Sequence, residues 1–114
     1  IKRLQQPENV SRLLQLNPLP IGTGFLVGGS HLMTNHHVIP SAEVARQCVA
    51  QFSYEDLPRS TSVAEYEFAP DLLFVSNAQL DYTLVQLKPD ATTRRTAGYR
   101  FGWIDLVETT EGIL

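Results

Sequence analysis

With 114 residues the chain has the length of one small domain. An apolar fraction of 43% and a charged fraction of 18% belong to a globular chain and exclude a disordered one. A formal charge of −3 excludes the basic surface that nucleic-acid binding requires, and the pair Arg94-Arg95 is too small to change that. No apolar run approaches the ~18–20 residues that cross a bilayer, so neither nucleic acid nor membrane is expected as a partner.

Residues 1–17 carry Val10, Leu13, Leu14 and Leu16 among polar residues, with Asn9 and Ser11 as possible caps. This predicts a short helix or turn, closed by Asn17-Pro18-Leu19-Pro20 because proline lacks an N–H and biases its predecessor away from helix. From Gly22 the pattern becomes β. Gly22–Val27 is the first strand, Gly28-Gly29-Ser30 its hairpin turn and His31–Thr34 the return strand. Val49–Tyr54, Val63–Phe68, Leu72–Ser76 and Tyr82–Leu87 follow as short runs bounded by Gly, Pro, Ser and Asp. Six such strands predict an all-β chain, a small antiparallel barrel whose closure would leave no exposed edge. Ala91–Arg100 is polar and reads as a linker, and Phe101–Leu106 is apolar again.

The single cysteine, Cys48, permits no internal disulfide. That slightly favours a reducing compartment such as the cytoplasm, although a secreted bacterial protein that does without disulfides fits as well. There is no signal-peptide pattern, and the chain opens on Ile1 rather than Met. Cys48 is most simply a small buried apolar residue.

Two segments carry chemistry. One is Gly22-Thr23-Gly24-Phe25-Leu26-Val27 followed by Leu32-Met33-Thr34-Asn35-His36-His37-Val38-Ile39. The other is Leu80-Asp81-Tyr82-Thr83-Leu84-Val85-Gln86-Leu87, with Asp81 lying 44 residues after His37. Together they resemble the trypsin-like (chymotrypsin-fold) serine peptidase superfamily, in particular its bacterial branch that includes the glutamyl endopeptidases. The resemblance covers about residues 20–106 and only about half of a complete peptidase domain. It implies that His37, the histidine directly before the valine, is the general base and that Asp81 orients it, with no catalytic role for His36.

The chemistry behind that pairing is general. A serine hydroxyl is a poor nucleophile near neutral pH, and a neutral imidazole in hydrogen-bond reach removes its proton during attack. A carboxylate on the other ring nitrogen fixes the useful tautomer and stabilises the imidazolium as it forms. A zinc site built from His31, His36 and His37 lacks both His-Glu-x-x-His and a cysteine pair, and no cofactor or metal is implied.

The resemblance further implies a nucleophile in a Gly-x-Ser-Gly context within a second barrel, and none of the seven serines here has that context. Residues 1–20 are then an N-terminal arm with a short helix, 21–90 the first barrel, and 91–114 a connecting segment leading to a second barrel outside the chain. On this reading the protein cleaves peptide bonds of a protein or peptide substrate through an acyl-enzyme, and these 114 residues alone are inert. The face that meets the second barrel would expose Phe101, Trp103 and Ile104 and pair with that barrel or with another copy of the chain. A non-catalytic binding or scaffold module, and a chymotrypsin-fold protease with a cysteine nucleophile, remain the alternatives.

Overall fold

The computed structural model describes residues 1–3, 19–56 and 60–105. Among them the chain forms eight strands and two five-residue helices. The strands are β1 (Lys2–Arg3), β2 (Leu19–Pro20), β3 (Gly24–Leu26), β4 (His31–Thr34), β5 (Cys48–Asp56), β6 (Ser60–Glu67), β7 (Phe74–Asn77) and β8 (Tyr82–Gln86). The helices are α1 (Ala42–Arg46) and α2 (Ala97–Phe101). The strands make two antiparallel four-stranded sheets, ordered β2-β1-β5-β6 and β3-β4-β8-β7.

Alternation explains which faces are buried. Leu32 and Thr34 of β4 stand opposite Val85 and Thr83 of β8, and all four side chains are buried. Ala64 and Tyr66 of β6 point inward and Phe68 continues their row, while Val63, Glu65 and Glu67 face water. This period of two is what a sheet with one solvated face requires. The inward residues of both sheets belong to one apolar cluster, joined by Ile39, Leu87 and Ala97.

The sheets also meet through backbone. Phe68 and Leu87 form an isolated antiparallel bridge, flanked by Ala69 N–H donating to Gln86 O at 2.7 Å and Lys88 N–H donating to Glu67 O at 2.8 Å. Six strands in one closed barrel are therefore not what the ladders show. Among the described residues the ladders form two separate sheets, and hydrogen bonding passes between them where β8 runs on toward β6.

Three expectations shift at the level of elements. Lys2–Arg3 is a strand, paired with both β2 and β5, where the sequence predicts an arm. Most of the helix expected within residues 1–17 lies outside the described residues. The strand expected at Leu72–Ser76 starts later, at Phe74, because residues 70–72 make a turn in which Leu72 N–H donates to Ala69 O.

The expected linker contains α2, capped by the Thr96 hydroxyl accepting from Tyr99 N–H and stopped by Gly102 at φ +75°. Gly98 of α2 donates its N–H to Gly29 O at 2.7 Å, an approach so close that a Cβ on Gly98 would lie 2.5 Å from that oxygen. Phe101 stacks on Phe52 with ring centroids 4.9 Å apart and meets Tyr66 edge-on. It faces the core side rather than an open seam. Trp103 and Ile104 are 51% and 57% exposed, and Ile104 N–H donates to Leu26 O along the edge of β3.

Candidate active site

The histidine turn follows directly from β4. Thr34 ends the strand with its hydroxyl donating to Thr23 O at 2.6 Å. Asn35 O then accepts from Val38 N–H at 3.1 Å and Ile39 N–H at 3.2 Å, winding residues 35–39 into one helical turn. Val38 and Ile39 are buried and anchor that turn in the core, which leaves His37 on its outer side.

The glycines upstream make room for it. A Cβ on Gly22 would lie 2.6 Å from Val38 Cγ2, and one on Gly24 would lie 2.9 Å from Met33 O. Gly22 and Val38 are thus two sides of one contact, while Gly24 lets β3 lie close on Leu32 and Met33 of β4.

Asp81 sits at the end of the turn between β7 and β8, where the Asn77 side chain accepts from Leu80 N–H at 2.9 Å. Its φ of +52° is left-handed, a conformation that aspartate tolerates better than most residues. From there its carboxylate reaches back across 44 residues of sequence to the histidine turn. Oδ2 lies 2.8 Å from His37 Nδ1, and Oδ1 accepts from the His37 backbone N–H at 3.0 Å. Asn35 Nδ2 adds longer bonds to the Asp81 backbone oxygen at 3.2 Å and to Oδ2 at 3.3 Å.

The His37 backbone N–H is the largest cause holding the Asp81 carboxyl below its ordinary range, and the His37 ring adds to it. An ionised carboxylate can only accept, so His37 Nδ1 must carry the proton. In the neutral ring Nε2 is then the lone-pair nitrogen. Among the described residues Nε2 makes no hydrogen bond, and the side chain is 71% exposed. The arrangement leaves a lone-pair imidazole nitrogen facing open space.

His36 points elsewhere. Its Nδ1 lies 2.6 Å from Ser76 Oγ, which lies 2.6 Å from Thr83 Oγ1, which donates to Ile39 O at 2.8 Å. No sequence signal exposes this chain, because its members are common polar residues on β7, β8 and the turn. Among the described residues no three His, Cys, Asp or Glu side chains converge as metal ligands. Cys48 is buried, and burial pushes its thiol up, away from the thiolate a nucleophile needs. A cavity of about 210 Å³ opens beside Asp81, lined by Thr23, Phe25, Met33, Asn35 and Tyr82 among others.

The site is thus an exposed histidine held by an aspartate at the rim of an antiparallel sheet. The chain matches the trypsin-like peptidase domain over residues 22–111, and it belongs to that family. It is 37% identical over 92 residues to the protein named "Uncharacterized protein y4fB" of Sinorhizobium fredii (strain NBRC 101917 / NGR234). That alignment takes in 75% of this chain and 13% of the relative, so the chain spans only a small part of the relative's length. No solved structure gives a significant match.

Proposed function

We propose that this chain supplies the general base and the orienting acid of a serine endopeptidase, with the nucleophilic serine outside these 114 residues. The observation that carries the reading is the 2.8 Å contact between His37 Nδ1 and Asp81 Oδ2, which leaves Nε2 as the exposed basic nitrogen. His37 takes the proton of the serine as it attacks the peptide carbonyl, then returns it to the leaving amine. Asp81 fixes the ring and stabilises its charge in between, and water repeats the sequence on the acyl-enzyme.

Two further observations favour a nucleophile from elsewhere. The half-buried serine on the strand beside the site, Ser76, is bonded to His36 and Thr83 rather than to His37. The chain also aligns with a small portion of a much longer relative. On this proposal β3 to β8 correspond to the first barrel of a double-barrel protease. The exposed Phe25, Trp103 and Ile104 face the second barrel. The segment Leu32-Met33-Thr34-Asn35-His36-His37-Val38 is the feature that favours the bacterial, glutamyl-endopeptidase-like branch.

The test is fluorophosphonate labelling of a longer chain that includes the proposed second barrel, beside the 114-residue chain and a longer chain with His37→Ala, mapping the labelled peptide by mass. Labelling at one serine beyond Leu114, lost with His37→Ala and absent from the short chain, is expected. A folded longer chain that stays unlabelled sinks the serine reading. If it is then alkylated at one cysteine in a His37-dependent way, a cysteine nucleophile replaces it. If neither occurs, the site is a scaffold.

A further inference from the structure

We infer that His36, Ser76 and Thr83 form a one-way hydrogen-bonded chain that positions His37 on Asp81. This rests on the proposed catalytic role of His37, but its geometry does not. Ile39 O is an acceptor only, so the Thr83 hydroxyl spends its proton there, at 2.8 Å. Toward Ser76 the Thr83 oxygen can then only accept, and the 2.6 Å contact between them takes the Ser76 proton. The other acceptor for that proton is Tyr82 O at 3.4 Å, and choosing it changes nothing further along. In either case the Ser76 oxygen must accept from His36, 2.6 Å away, so His36 Nδ1 carries a proton.

The reverse direction would have Ser76 donating to His36 and Thr83 donating to Ser76. That strips the donor from the carbonyl of Ile39, a fully buried residue. An unpaired buried carbonyl is the costlier arrangement. The direction also decides what Ser76 is not. A serine 2.6 Å from a histidine looks like a nucleophile beside its base. Here the histidine donates, so it has no lone pair on that side to take a proton.

The consequence is mechanical. Ser76 and Thr83 are register partners on β7 and β8, the hairpin whose turn presents Asp81. His36 and Ile39 lie either side of His37 in the helical turn. The chain therefore ties the turn that carries the base to the hairpin that carries the acid, at two points that the His37–Asp81 contact does not use. His36, Ser76 and Thr83 are positioning residues in this sense.

The test is NMR of the 114-residue chain with ring-15N histidine, as wild type, Ser76→Ala and Ser76→Thr. The wild type is expected to show His36 protonated at Nδ1. Ser76→Ala should release His36 into a mixture of tautomers and weaken the His37 Nδ1 proton signal while the sheet amides stay in place. Ser76→Thr, which keeps the hydroxyl, should restore both. A bare Nδ1 on His36 in the wild type overturns the direction. A His37 Nδ1 proton unmoved by Ser76→Ala overturns the positioning role.

In the longer chain, Ser76→Ala should slow fluorophosphonate labelling by about tenfold to a hundredfold, rescued by Ser76→Thr. Unchanged labelling also overturns the role. If the wild-type longer chain is not labelled at all, the protease reading falls, and the ring-nitrogen spectra still decide the chain of hydrogen bonds.

Discussion

Asp81 grips His37 twice, once through the ring Nδ1 at 2.8 Å and once through the backbone N–H at 3.0 Å. The carboxylate thus sets both the ring's tautomer and the position of the residue that bears it. Asp81→Asn keeps one acceptor oxygen but can place an amide N–H opposite Nδ1, which forces the proton to Nε2 and removes the base. Activity of the longer chain should fall by about 10⁴-fold with the fold retained. The check is kcat beside a circular dichroism spectrum, and a loss below tenfold would mean that Asp81 does not orient the base.

Acid should destabilise the chain through two identified carboxylates. Asp81 is depressed below its ordinary value of 3.8 chiefly by the His37 backbone N–H. Asp90 is depressed chiefly by the Thr93 backbone N–H and next by that of Thr92. A carboxyl whose folded value is lowered adds stability above its unfolded value and loses it as pH falls through the folded one. Their contribution is therefore complete near neutrality and declines as pH drops below about 3.8. Urea titrations at stepped pH should show a shallower acid decline in Asp81→Asn and in Asp90→Asn than in the wild type.

The contact between α2 and the first hairpin should tolerate no side chain on one of its two glycines. A Cβ on Gly98 would meet three backbone atoms of Gly29, the nearest at 2.5 Å, and backbone cannot step aside. Gly98→Ala should cost about 1–3 kcal/mol. Gly29→Ala is the control, because its Cβ would meet only Thr96 Oγ1 at 3.8 Å. Thermal unfolding should separate the two variants clearly.

Thr83 is wholly buried, and its hydroxyl bonds both Ile39 O and Ser76. Thr83→Val keeps the shape and removes the hydroxyl, leaving the Ile39 carbonyl without its donor. A loss of about 1–3 kcal/mol is expected from chemical denaturation. A change below half that size would show that another donor reaches the carbonyl.

The elements that follow a regular pattern could be read from the sequence. β4, β5, β6 and β8 announce themselves by alternation and by the turn residues around them. The union of His37 with Asp81 could be read because the residue types and their order are specific. What escaped was short or non-local. Lys2–Arg3 gains its strand character only from partners at residues 19–20 and 48–49, and two residues have no period to detect. α2 is five residues long, too short for a helical repeat, and only Thr96 before it and Gly102 after it marked its ends. Phe101 resembled an exposed seam residue because apolar character alone does not tell which side of a helix finds an aromatic partner. Ser76 and Thr83 were invisible as a pair because their meeting depends on strand register, which a single sequence leaves open.

The pairing of β4 with β8 also dictates when the site comes into being. β4 finds β3 at once through a short turn, but its other edge waits for Tyr82–Gln86. In between, β5 and β6 close on each other through eight register pairs without touching either partner's ladder. A chain emerging from the ribosome thus displays the histidine turn long before the aspartate hairpin exists, and closing that long loop is the slower, entropically costlier event. Every nascent intermediate shorter than the end of β8 holds an unoriented imidazole, so the His37–Asp81 contact forms only when the sheet beneath it is complete.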